Sequence, residues 1–179
     1  MGGGVGQSTV PRFEVRAVGS WAQRSGCADH AITALGSERL AALCRGECYN
    51  PSERRRSIER IEIVRIRPQR YPGEPLDALI EDPWQRFECP ADPNGCRVEF
   101  EDPEFVPSGR DTVYYARAIE EKSSAIHGSN PLGCTYDETG NCVAIEPCGV
   151  RVPKSEDCLS ETRQRAWSSP IFVDYRERG

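Results

Sequence analysis

The chain has 179 residues, of which 37% are hydrophobic, and a formal net charge of −5 at pH 7. This charge argues against a general nucleic-acid binder, because neutralising phosphates requires a concentrated basic face. No apolar run approaches the roughly 20 residues that a membrane span needs, so we expect neither a nucleic-acid partner nor a membrane span.

The length fits a single domain, but its few aliphatic residues make a marginal core, so we expect covalent support from the nine cysteines. Residues 1–10 predict a flexible lead-in, because Gly2 to Gly6 is rich in glycine. Met1 is followed by neither the charged nor the apolar segment of a secretory signal. The cysteines nevertheless indicate an oxidising compartment. We therefore expect an internal piece of a longer exported protein.

Three segments near the start have clear periodicity. Pro11 to Val18 alternates apolar and polar residues, which predicts a half-buried strand. Asp29 to Cys44 has apolar residues at roughly helical spacing, which predicts a helix with Asp29 as its N-cap. Gly36 is unfavourable within this helix. Ser57 to Pro68 carries β-branched aliphatic residues on both faces, which predicts the central strand of the domain.

The rest of the chain predicts short strands between long loops. Residues 68–96 are turn-rich, with one short helix at Leu76 to Ile80. Residues 123–169 are predicted to be loop, with a small hairpin around Asp137 to Asn141. Further strands are predicted at Cys96–Phe100, Thr112–Glu120 and Pro170–Tyr175, before a polar tail at 176–179.

Strands without long helices between them imply antiparallel pairing. We therefore predict a mainly β protein with one domain over residues 11–175. Its architecture is an antiparallel sheet or β-sandwich with one short helix and long disulfide-stabilised loops.

Six of the cysteines form three pairs that are close in sequence and lie in turn-rich loops. Closing a loop of this size stabilises a fold by roughly 2–3 kcal/mol in the chain-entropy account. We predict disulfides at Cys89–Cys96, Cys134–Cys142 and Cys148–Cys158.

The other three cysteines, Cys27, Cys44 and Cys48, leave two interpretations open. Together with His30 they have a spacing close to that of a four-ligand structural zinc site. The alternative is one disulfide, from Cys27 to Cys44 or to Cys48, with one thiol left over.

The chain has few residues and motifs that are typical of a catalytic site. His30 and His127 are too few for a multi-histidine metal centre, and the chain has no G-x-S-x-G, no Gly-rich phosphate loop and no H-E-x-x-H. We expect no catalytic residue and no cofactor in this chain, unless it binds the structural zinc. Four aromatic residues are predicted to pack in the core: Trp84, Trp167, Tyr114 and Tyr115.

Several segments, in their order and spacing, resemble the C-terminal part of a bacterial family called domain of unknown function 3604. Its members are exported proteins similar to PHP-type metal-dependent phosphoesterases. M-G-G at 1–3 and P-R-F at 11–13 also resemble an internal piece of such proteins. The other segments are C-R-G-E-C-Y-N-P (44–51), R-I-E-I-V-R-I-R-P-Q (60–69), D-P-W (82–84) with Phe87 and C-P (89–90), G-R-D (109–111), V-Y-Y-A-R-A-I (113–119), D-C-L (157–159) and R-A-W-S-S-P-I-F-V-D-Y (165–175).

The resemblance implies a non-catalytic C-terminal β-rich portion of an exported metal-dependent hydrolase. In that family the metal ligands lie upstream of the part matched here, so the partner would be the catalytic domain of the same polypeptide. The alternative is an independent cysteine-rich binding domain, with a structural zinc at Cys27, His30, Cys44 and Cys48. The first interpretation predicts an exposed apolar patch where the catalytic domain docks, and the second predicts none.

Overall fold

The computed structural model describes residues 3–44, 48–126, 133–146 and 159–177. These residues form a mainly β protein, as predicted, although it has three short helices rather than one. The helices are α1 (Asp29–Leu35), α2 (Ser37–Cys44) and α3 (Phe105–Ser108). The strands are β1 (Gly3–Gln7), β2 (Arg12–Ala17), β3 (Trp21–Ser25), β4 (Tyr49–Arg55), β5 (Ile58–Ile66), β6 (Ile80–Glu88), β7 (Cys96–Glu101), β8 (Thr112–Ile126), β9 (Gly133–Tyr136), β10 (Cys142–Glu146), β11 (Leu159–Trp167) and β12 (Ile171–Tyr175).

Strand β5 lies inside the largest sheet, whose order is β1-β12-β8-β5-β6, with β11 also paired to β8. It is antiparallel to β6 on one side and to β8 on the other. Ile61 and Ile63 on one face and Val64 on the other are almost fully buried. The predicted central strand is confirmed, because branched aliphatic side chains on both faces suit a strand with neighbours and cover on each side.

Strands β2 and β7 form a two-stranded antiparallel layer that packs on one face of the large sheet, which we call the inner face. The alternation of β2 turns Val15 and Ala17 toward the buried cluster that contains Ile61 and Ile63. A disulfide joins Cys96 in β7 to Cys89, directly after β6. The small layer is therefore fastened covalently to the large sheet.

An aromatic cluster closes one end of the inner face. Phe13 stacks on Phe100, with ring centroids 4.8 Å apart, and lies 4.7 Å from the ring of Tyr114. Trp84 lies 6.1 Å from Tyr114. Core positions are thus confirmed for Trp84 and Tyr114. The prediction is wrong for Trp167, which is 59% exposed at the end of β11.

Residues 3–7 differ from the predicted flexible lead-in. β1 pairs in parallel with β12, from Gly3 opposite Ile171 to Gln7 opposite Tyr175. Backbone hydrogen bonds to an ordered strand hold a glycine-rich segment that has little preference of its own. This pair is also parallel, where only antiparallel pairing was expected.

Two strands occupy segments that the sequence predicted to be loop. β6 contains Pro83, which the sheet accepts because β6 is an edge strand among the described residues. The predicted helix at Leu76 to Ile80 is instead a turn leading into β6. β11 is mostly polar and pairs with a β8 that runs on to Ile126, whereas the predicted hairpin is confirmed as β9 and β10.

The predicted helix over Asp29 to Cys44 is divided into α1 and α2 at Gly36. The φ angle of Gly36 is 75°, which is favourable for glycine, and the N–H of Gly36 donates to the carbonyl of Ile32. The predicted capping role of Asp29 is wrong, because Ala28 occupies the N-cap position. No helix of the described residues is long and apolar enough to cross a bilayer.

Candidate functional site

The inner face buries the guanidinium of Arg65, which is 2% exposed. Nε and Nη2 donate to the two carboxylate oxygens of Glu81, at 2.6 and 2.9 Å, and Nη1 donates to Oδ1 of Asp102 at 2.8 Å. The guanidinium carbon, Cζ, lies over the ring of Trp84, 4.2 Å from its centroid. Such bidentate, stacked packing is specific to arginine.

Asp102 joins this network to the aromatic cluster. It is fully buried, and its Oδ2 accepts a hydrogen bond of 2.7 Å from the hydroxyl of Tyr114. Burial, followed by the Asp102 contact, raises the pKa of Tyr114 above its ordinary value. Burial by itself would lower the pKa of Arg65, but its hydrogen bonds to carboxylates outweigh burial and raise it. Both Tyr114 and Arg65 therefore keep their protons, and the hydrogen bonds between these buried groups support the fold.

The opposite face of β5 carries a second charged group. Glu62 accepts hydrogen bonds from Arg60 Nε at 2.8 Å and from Arg117 Nη2 at 2.8 Å, and Arg117 also pairs with Asp82. Burial would raise the pKa of Glu62, but the two arginines together lower it. Glu62 is buried, and both it and Asp82 are paired with arginine, which indicates a structural role for this group.

Three cysteine sulfurs form a cluster between α2 and the start of β4. The Sγ atoms of Cys27, Cys44 and Cys48 all lie within 4.8 Å of one another, and Cys27 Sγ is 4.0 Å from Cys44 Sγ. Cys48 is placed to pair with either neighbour, at Cα–Cα distances of 5.0 Å to Cys27 and 5.4 Å to Cys44. Since one sulfur forms one disulfide at a time, the two pairings are alternatives.

His30 does not belong to this cluster. It lies in α1 and is exposed, and the group of potential metal ligands within the described residues contains only the three cysteines. The predicted four-ligand set is therefore not assembled. Three cysteines remain; reduced, they could hold a thiophilic metal ion, and oxidised, they supply one disulfide and one thiol.

The three other predicted disulfides have different outcomes. Cys89–Cys96 is confirmed. Cys142 is disulfide-bonded, but the Cys134 side chain lies outside the described residues, so their pairing stays a prediction. Cys148, Cys158 and His127 also lie outside the described part of the chain.

An open groove, which we call the β2 groove, runs along the edge of β2 that faces away from β7. Its floor is the inner face of the large sheet beyond β2, where four small side chains, Ala116, Ala118, Ala166 and Ser168, lie beside the larger Ile58 and Gln164. Its wall includes Val15 and Ala17. A cavity of about 680 Å³ adjoins one of about 240 Å³ toward Phe13 and Ile171, since the two share Val15, Ala116 and Ser168.

The charges at one end of the β2 groove are arranged asymmetrically. Glu120 accepts hydrogen bonds from the backbone N–H of Ser20 at 2.5 Å and from its hydroxyl at 3.0 Å. Arg55 lies over the ring of Trp21 and donates to the carbonyl of Gly19, but it has no carboxylate partner among the described residues. The uncommitted charge at this end is therefore positive.

Sequence reasoning missed the β2 groove, and it missed the burial of Arg65. The available signal for the groove was the A-x-A pattern in β8, which places two alanines, Ala116 and Ala118, on one face directly after two tyrosines. Comparisons with protein-family models, with curated proteins and with solved structures found no match to this chain.

Proposed function

We propose that this chain is the non-catalytic C-terminal β-rich portion of an exported metal-dependent hydrolase, and that it docks against the catalytic domain of the same polypeptide. The observation that carries the proposal is the β2 groove, an apolar part of the inner face with no cover among the described residues. Uncovered apolar surface of this kind is typical of an interface. The resemblance to domain of unknown function 3604 supplies the identity of the partner.

Two further features favour a structural role for this chain over a catalytic one. The resemblance assigns the metal ligands to a portion upstream of this chain. Among the buried ionisable groups that the structure describes, Arg65, Asp102 and Glu62 are paired within the two charged networks. Glu120 lines the β2 groove, but it already accepts two hydrogen bonds from Ser20. Disulfides such as Cys89–Cys96 favour a compartment outside the cytoplasm, in keeping with export.

The test has two parts. The isolated chain, assayed with Zn²⁺ or Mn²⁺ on p-nitrophenyl phosphate, should give no turnover above a metal-only blank. The genomic sequence before Met1 should be an open frame that encodes a domain rich in His and Asp. Turnover that follows the protein through purification would contradict the non-catalytic role, and a stop codon with a ribosome-binding site before Met1 would contradict the partner.

A second candidate function is an independent binding domain whose cysteine cluster holds a zinc ion. The observation in its favour is the proximity of the three sulfurs of Cys27, Cys44 and Cys48. In a reducing environment these thiols would act as three ligands, and a water or another side chain would complete the tetrahedron. In an oxidising one, the same residues would supply a disulfide instead.

Elemental analysis of protein purified under reducing conditions separates these states. The zinc site predicts one zinc per chain, lost in Cys44→Ser and retained in His30→Ala, because His30 lies outside the cluster. Zinc-free protein under these reducing conditions would exclude this candidate. Loss of zinc in His30→Ala would restore the four-ligand arrangement and contradict the observed geometry.

A further inference from the structure

We propose that the β2 groove receives one extended strand from the partner, which adds to the free edge of β2. This inference rests on the proposed docking function and specifies its mode. The occupant is a short segment with apolar side chains in alternate positions and a carboxylate at the end that meets Arg55.

The backbone of β2 has one edge without a partner strand among the described residues. Each residue from Arg12 to Ala17 is in register with β7, from Glu101 to Cys96, and no other strand pairs with β2 among the described residues. A strand directs alternate N–H and C=O groups to its two sides, so about half of these groups face the groove. An open edge of this kind is a template for another strand.

The floor of the groove leaves space for another strand. The large sheet continues beyond β2 through β8 and β11, where Ala118 lies directly opposite Ala166. Strands of stacked sheets lie about 10 Å apart, which leaves room for one layer of side chains between them. The small side chains on this floor leave that layer unfilled, whereas Ile61 and Ile63 fill it beneath the covered part. A strand paired with β2 would place alternate side chains over the alanines.

The unpaired backbone groups at the edge of β2 favour an extended strand over a helix. The backbone groups of a helix are paired internally, so a helix would leave the edge of β2 without partners. An added strand satisfies the edge through its main chain and gains specificity from alternate side chains, which is the general mode of β-strand addition. Six residues, the length of β2, would extend over roughly 20 Å at ~3.3 Å per residue.

The charged residues at one end of the groove favour an acidic residue on the incoming strand. Glu120 is already hydrogen-bonded by Ser20 and lies 4.0 Å from Arg56, so it does not require a cation from the partner. Arg55, at the same end, has its guanidinium available to a carboxylate. An incoming strand with an acidic residue at this end would meet complementary charge, which fixes its direction along the groove.

The experiment uses a synthetic peptide as the probe: acetyl-Glu-Val-Thr-Val-Thr-Val-Thr-amide, added to the whole chain. Amide hydrogen exchange followed by NMR should show new protection in β2 at the amides that do not bond to β7. A control peptide with proline in place of the two inner threonines lacks donors at those positions and should bind at least about tenfold more weakly.

Matched variants locate the site. Ala166→Trp fills the floor of the β2 groove and should raise the peptide Kd by at least about tenfold. Ala144→Trp, at an exposed strand position outside the groove, should leave the Kd unchanged. Arg55→Gln should weaken the peptide that begins with Glu, but not the same peptide with Gln in that place.

Three results would overturn strand addition: no added protection in β2 with the peptide, equal binding of the proline peptide, or equal loss in Ala144→Trp. Protection of β2 without peptide, together with a dimer in sedimentation, would assign the edge to a second copy of the chain and also overturn it. None of these results bears on the assay for turnover or on the upstream reading frame. Failure of strand addition is therefore distinguishable from failure of the proposed function.

Discussion

The inner face of the large sheet has two parts that differ in their cover. Beneath β2 and β7 it carries Ile61, Ile63 and the paired charge of Arg65, all almost fully buried. Beyond β2 it carries Ala118, Ala166 and Ser168, which line the β2 groove. The same sheet therefore presents a completed core on one side of β2 and an unfilled layer on the other.

The difference shows which part of the molecule maintains the fold and which part is available to a partner. In the covered part Arg65, Asp102 and Tyr114 are joined by hydrogen bonds, and the side chains fill the space between the layers. In the open part the described chain contributes a floor and one wall, and the remaining wall has to come from elsewhere. Substitutions in the two parts should consequently differ in what they disturb.

The largest expected effect is that of Asp102→Ala in the covered part. It removes a buried partner of Arg65 and the acceptor of Tyr114, and breaking a buried ion pair in this way destabilises a fold by about 3–5 kcal/mol. Urea denaturation of the folded variant and the wild type measures the loss. The matched control is Glu104→Ala, which removes an exposed carboxylate from the same guanidinium and should lower stability by less than about 1 kcal/mol. Equal losses would show that the network is not buried as described.

A smaller effect should separate two alanines on the inner face. Ala116→Leu overfills the edge of the buried cluster and should destabilise by about 1–3 kcal/mol, whereas Ala166→Leu extends into the open groove and should stay within about 0.5 kcal/mol. Thermal and urea denaturation of the two variants give the comparison. If Ala166→Leu is as damaging as Ala116→Leu, the groove is filled in the isolated chain.

The smallest effect is a pH dependence on the outer face. Arg60 and Arg117 lower the pKa of Glu62 below its ordinary value of 4.5 in the folded chain. The unfolded chain thus binds the proton first, and the stabilisation from Glu62 is complete above pH 4.5 and is lost as the pH falls through the folded pKa. In Glu62→Gln the loss of stability relative to the wild type should shrink as the pH falls below 4.5. A constant difference between the two urea curves, from pH 7 down to acid, would show that Glu62 acts without its charge.

The sequence was sufficient where composition and periodicity agree. β5 could be predicted from its branched aliphatics, β2 from its alternation, and the β9–β10 hairpin from its turn residues. β1, β6 and β11 could not, because glycine, Pro83 and polar runs mask strands that are held at or near sheet edges by neighbours distant in sequence. Contacts of that kind are set by the tertiary fold and leave little local signal.

The candidate site was predictable to a lesser degree. The proximity of Cys27, Cys44 and Cys48 follows from their spacing, but the exclusion of His30 depends on how α1 and α2 are oriented after the break at Gly36. The β2 groove exists because the two-stranded layer of β2 and β7 is narrower than the large sheet. No single stretch of sequence records this difference in width. An exposed apolar patch was expected from the resemblance to domain of unknown function 3604, without any indication of where it would lie.

The most direct measurement is single-amide hydrogen exchange of β2 in the isolated chain, followed by NMR. The account predicts an alternating pattern over Arg12 to Ala17, with slow exchange for amides that bond to β7 and fast exchange for those that face the groove. Slow exchange at every β2 amide, in a monomeric sample without peptide, would mean that another segment already occupies the edge and would contradict an open docking groove.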